Sequence, residues 1–66
     1  MISEKLIRQA DGKIVNIIFF SGEDLKGVKC TNFYRKEEED EENMLEVGNL
    51  IINQSEIKEL IILANN

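Results

Sequence analysis

The sequence predicts an all-β fold with a short N-terminal helix, in which five strands form a small, strongly bent, open β-barrel. Three observations support this prediction. Val15, Ile17 and Phe19 are spaced two apart, so their side chains share one face of a strand. Gly22 follows in a tight turn, and Gly27 lies where a bulge would bend the next strand. Further short apolar runs follow, separated by charged or turn-forming residues.

The chain is expected to begin with a helix at about residues 2–10. Ser3 is a suitable N-cap, and Gly12 follows the helix as glycine usually does. The apolar face of this helix comprises Ile2, Leu6, Ile7 and Ala10.

The first two strands are expected at about residues 13–20 and 24–35. In the second strand, strict alternation from Leu25 would direct Lys29 into the core. A bulge at Gly27 shifts the phase and instead directs its two apolar neighbours, Val28 and Cys30, inward. We favour the bulge, because it also lets a short sheet curl.

The second half of the chain is expected to contain strands at about residues 43–47 and 50–53, joined by a two-residue turn at Gly48-Asn49. The acidic run at residues 37–42 precedes them as a solvated turn. Residues 57–63 fit either a helix or a buried strand, and periodicity alone leaves both open.

Composition indicates one domain spanning residues 1–66. A chain of this length buries only about 60% of its unfolded surface, so it is marginal as a monomer. One cysteine and no histidine argue against disulfide or metal stabilisation, so self-association is the expected source of added stability. No cofactor is expected.

No apolar run reaches the ~20 residues of a membrane span. A lone cysteine and the absence of a signal-like N-terminal pattern favour a cytoplasmic location.

Charge is distributed unevenly along the chain. The net charge is −5, but residues 1–36 carry +3 and residues 37–66 carry −8. The acidic excess would repel RNA, whereas basic residues of the first half would attract it if they cluster. Those basic residues include Lys5, Arg8, Lys13, Lys26 and Lys29.

The chain resembles the Sm-like family, which includes the bacterial Hfq proteins. The first family motif is matched by Val15, Ile17, Phe19, Gly22 and Gly27. The second motif, Ile-Arg-Gly followed by an apolar strand, is matched in spacing by Ile52–Leu63, with Asn53-Gln54 replacing Arg-Gly. The resemblance favours a strand rather than a helix at residues 57–63.

The resemblance implies a cyclic homo-oligomer, a hexamer or heptamer, in which the fourth strand of one copy pairs with the fifth strand of the next. Closing a ring in this way covers exposed strand edges. The interface residues it implies are Leu50, Ile51, Ile52, Leu60, Ile61 and Ile62. The alternative is that these are ordinary core residues of a monomer.

The resemblance also implies RNA contacts from loops that face the pore of the ring. The corresponding residues are Asn32, Phe33, Tyr34, Asn53 and Gln54. An aromatic ring would stack on a base and the amides would read base edges. The alternative is that Phe33 is a core residue and Asn32 a turn former.

Two hypotheses about function follow, and neither is enzymatic, since Cys30 lacks a histidine partner and the acidic residues look solvated. The first is a non-catalytic Sm-like ring that holds short single-stranded RNA at its pore. The second is a protein-interaction module on the same barrel. Its acidic loop would bind a basic partner or mimic nucleic acid, as a phage or mobile-element protein would.

Overall fold

The computed structural model describes residues 1–65, which form one antiparallel sheet and one short helix. The elements are α1 (Glu4–Gln9), β1 (Ile14–Phe19), β2 (Asp24–Tyr34), β3 (Met44–Val47), β4 (Leu50–Asn53), the 3-10 turn η1 (Gln54–Glu56) and β5 (Ile57–Ala64). The C-terminal segment, for which the pattern left helix and strand open, is therefore a strand. No helix in the described residues combines the length and apolarity needed to cross a bilayer.

The sheet has the strand order β4-β3-β2-β1-β5. The central strand β2 pairs with β1 along its first half and with β3 along its second half. β4 and β5 are the two edges of the sheet, and within residues 1–65 they do not pair with each other. The expected five-stranded, mostly β architecture is confirmed, but the sheet is not closed into a barrel.

A bulge bends β2 at Gly27. The pairing between β1 and β2 shifts by one residue opposite Asn16, and Gly27 has a φ of 64°. The Asn16 side chain fixes the bulge by accepting a hydrogen bond from the Gly27 N–H at 2.8 Å. Beyond it Cys30 is fully buried and Lys29 is exposed, which confirms the predicted phase shift.

One hydrophobic core joins both ends of the sheet. Ile52 from the β4 edge lies in the same buried cluster as Ile57 and Leu60 from the β5 edge. Since the two edges are separated by three strands, the sheet bends to bring their inner faces together. The helix α1 covers this core with Ile7, and Ala10, the residue that caps the helix, adds to it; both are fully buried.

The N-terminal helix begins where the sequence predicts its cap. The Ser3 hydroxyl accepts a hydrogen bond from the Leu6 N–H at 3.1 Å. The helix is shorter than expected, because only Glu4–Gln9 are helical. Burial of one face against the sheet, rather than helix propensity, stabilises so short a segment.

Candidate functional site

The outward face of β2, β3 and β4 carries most of the predicted RNA-binding side chains. Asn32 and Tyr34 are exposed on β2, and Asn53 ends β4 opposite Met44. Phe33 lies between the first two on the strand and therefore turns inward, where it packs against the core. Phe33 is thus placed with the core, whereas Asn32 and Tyr34 lie on the outward face.

A carboxylate joins two of these side chains. The Asn32 Nδ2 and the Tyr34 hydroxyl each donate to Glu46 Oε1 at 2.9 Å. Two hydrogen bonds lower the pKa of Glu46 because they stabilise its ionised form. The bond from Asn32 has the larger effect and the bond from Tyr34 the smaller. The same carboxylate raises the pKa of Tyr34, mainly because its hydrogen bond needs the phenol proton. Glu46 is thus a positioned anion on the outward face.

Gln54 lies in a polar network inside the fold. Its Oε1 accepts from Asn43 Nδ2 at 3.1 Å, and its Nε2 donates to the Ile2 carbonyl at 2.8 Å. Asn43 is only 3% exposed and also accepts from the Lys36 N–H at 2.9 Å. The Gln54 amide therefore ties the N-terminal segment to the connection between β2 and β3, and both its ends are occupied.

The acidic connection between β2 and β3 has a defined shape. Glu41 Oε1 accepts from the backbone N–H groups of Glu37 and Glu38 at 3.0 and 3.2 Å. Glu42 accepts from the Ser55 N–H at 2.7 Å and from its hydroxyl at 3.0 Å. The last of these contacts places the acidic loop directly against η1, beside the predicted RNA-binding amides.

An open groove of about 520 Å³ lies between this loop and the outward face of the sheet. We call it the acidic groove. Its lining includes four carboxylates and one guanidinium, so it is strongly negative. The lining residues are Tyr34, Arg35, Glu37, Asp40, Glu41, Glu42, Met44 and Asn53. Within residues 1–65, no group of three or more acidic, cysteine or histidine side chains is arranged to hold a metal ion.

The two sheet edges expose apolar side chains. On β4, Leu50 is 53% and Ile51 is 49% exposed, and on β5 Ile61 is 45% exposed. Of the other expected interface residues, Ile52 and Leu60 are core residues and Ile62 is half-buried. Their side chains point inward because neighbours on a strand alternate between faces. Leu63, 52% exposed on β5, extends the exposed edge beyond the expected set.

Comparison with protein-family models, curated proteins and solved structures finds no match for this chain.

Proposed function

We propose that this protein is a non-catalytic, self-assembling binding module of the Sm-like type, whose acidic groove receives a positively charged partner. The observation that supports assembly is the pair of unpaired edges, β4 and β5, at opposite ends of one bent sheet. Edge strands expose backbone donors and acceptors that pair readily with another chain. A head-to-tail contact between β4 of one copy and β5 of the next satisfies both edges of every copy when the ring closes.

Apolar side chains add to this edge pairing. Four of them on the two edges are about half exposed: Leu50, Ile51, Ile61 and Leu63. Burying the exposed half of such a side chain contributes roughly 1 kcal/mol. A chain of this size gains proportionately more from such burial than a larger domain does, because its own core is small.

The charge of the groove favours one of the two classes of partner. Glu37, Asp40, Glu41 and Glu42 line it beside Tyr34 and Asn53, where the resemblance would place RNA. RNA affinity depends on cations that neutralise phosphates, and this loop supplies mostly anions. A ring would repeat the same charge in every copy. A basic protein segment is the complementary partner, and this is the function we favour.

Assembly is tested by the mass of the protein in solution. The chain is expected to sediment as a closed oligomer at tens of micromolar, and Ile61→Lys is expected to reduce it to a monomer. A lysine on an edge strand opposes pairing because its charge would be buried. Phe20→Lys is the matched control, since Phe20 is also a large exposed apolar residue (57%) but lies in the turn after β1. A strictly monomeric wild-type chain would refute the assembly.

The groove is tested by titration with an oligolysine peptide at increasing salt. Binding is expected at low salt, and the double variant Glu37→Gln/Asp40→Asn is expected to weaken it. These two residues line the groove, whereas Glu41 and Glu42 hold the loop and are left intact. Glu23→Gln/Glu56→Gln removes the same charge outside the groove and is expected to bind as the wild type does.

Single-stranded RNA is the second candidate. It is favoured by Tyr34, which is 41% exposed and shares the outward face with Asn32 and Asn53. An exposed aromatic ring beside amide groups suits a stacked base. Oligo-U and oligo-A are the probes, and Tyr34→Ala is expected to abolish any binding. RNA binding that is tighter than peptide binding at the same salt would reverse our preference.

A further inference from the structure

We propose that the partner of the acidic groove presents an arginine, and that Glu46 and Tyr34 receive its guanidinium on the outward face of the sheet. This inference rests on the proposed function, because it names the chemistry of the basic partner. The carboxylate concerned, Glu46, lies on β3, outside the acidic loop.

Glu46 is positioned by hydrogen bonds to one of its two carboxylate oxygens. Both hydrogen bonds that position it end on one oxygen, Oε1. Within the described chain, no side chain or backbone group donates to Oε2. A carboxylate held in this way keeps the acceptor capacity of Oε2, since an ionised carboxylate offers about four lone-pair sites, two on each oxygen, and those of Oε1 are used. Oε2 can therefore accept N–H groups of a guanidinium while Asn32 and Tyr34 stay bonded to Oε1.

The surroundings of the Glu46 carboxylate also suit an arginine side chain. Tyr34 lines the acidic groove and bonds Glu46, so the two sites are contiguous. Its ring offers a face on which a planar guanidinium stacks. Ile51 is the cross-strand partner of Glu46 and is 49% exposed, which supplies an apolar surface for the stem of a long side chain.

These features discriminate arginine from lysine. A guanidinium is planar and presents several donors in a fixed fork, which matches a carboxylate beside an aromatic ring. A lysine ammonium is a compact point charge that the carboxylates of the loop attract equally well. The acidic loop therefore attracts basic segments of either kind, and Glu46 together with Tyr34 favours arginine over lysine.

The test compares an oligoarginine and an oligolysine peptide of equal length and charge, titrated into the full chain at one salt concentration. We expect oligoarginine to bind about tenfold more tightly. Glu46→Gln is expected to remove most of this preference while oligolysine binding changes little. Glutamine keeps an oxygen that accepts from Asn32 and Tyr34, so the local structure is preserved. Glu23→Gln, an equal change of charge in the turn before β2, is expected to keep the preference.

The possible results distinguish the arginine preference from the proposed binding of a basic partner. Equal affinity for the two peptides would overturn the arginine preference but would still support a basic partner. Binding of neither peptide overturns both. An oligo-G RNA is included because a guanine edge also offers paired N–H donors. If it binds more tightly than oligoarginine and Glu46→Gln abolishes that binding, the site reads a base and the proposal is overturned.

Discussion

Replacing Asn43 by alanine is expected to destabilise the fold by about 2–3 kcal/mol, although the side chain lies outside every strand. Two hydrogen bonds are lost: the one from the Lys36 N–H at 2.9 Å and the one to Gln54 Oε1 at 3.1 Å. Asn43 is 3% exposed and both bonds are partly buried, so the loss of each is expected to cost about 1–1.5 kcal/mol. Stabilities of roughly 0.05–0.15 kcal/mol per residue make this a large share of the total.

The measurement is urea unfolding at a fixed subunit concentration, since self-association makes apparent stability depend on concentration. Asn65→Ala, the same change at an exposed position, is the control. A thermal scan is expected to show a fall in Tm of roughly 10–20 °C for Asn43→Ala, given 4–8 °C per kcal/mol for a domain of this size.

A double-mutant cycle with Gln54→Ala sharpens the test. If the two amides support each other, the cycle is expected to give a coupling of about 1 kcal/mol. A loss below about 0.5 kcal/mol for Asn43→Ala, or additive effects in the cycle, would refute the network as a stabilising unit. Gln54 would then be free to serve as the ligand-binding residue that the resemblance implies.

Tyr34 is the single tyrosine in a chain without tryptophan, so its ultraviolet absorbance reports its ionisation alone. Glu46→Ala, which removes the acceptor of the Tyr34 hydroxyl, is expected to lower the pKa of Tyr34 towards the ordinary value, and an unchanged pKa would contradict the hydrogen bond. The raised pKa also means that this bond contributes stability below pH 10, lost as pH rises through the folded-state value. Gly27→Ala is expected to cost about 1–2 kcal/mol in urea unfolding because its φ is 64°, whereas a D-alanine placed there by synthesis is expected to cost nothing. Glu42→Ala is expected to speed hydrogen exchange of the Ser55 amide, and unchanged exchange would show that the loop is held elsewhere.

The sheet could be predicted from local pattern because strand alternation and turn glycines are local signals. Gly27 is the clearest case: its spacing from Leu25 and Cys30 indicates a bulge without any long-range contact. The direction in which each apolar side chain of the two edge strands points is harder to predict. Ile52 and Leu60 belong to apolar runs, and only their pairing shows that they face the core.

The candidate site was harder to predict because it depends on contacts between distant segments. Glu46 is flanked by Leu45 and Val47, and this alternation alone indicates that it points outward. Its approach to Asn32 requires the register of β2 against β3, which no local pattern specifies. The acidic run looked like a solvated turn, yet Glu42 fastens it to η1 through Ser55.

The bulge at Gly27 has a consequence for stoichiometry. In a ring whose copies pair β4 with β5, each copy turns the direction of the chain of subunits by the angle between its two edge strands. The ring closes when these angles add up to a full circle. Six copies require about 60° and seven require about 51°. The bend in β2 sets the relative direction of the two edges. If the copies assemble as proposed, Gly27 and the Asn16 side chain bonded to it would therefore set the number of subunits in the ring.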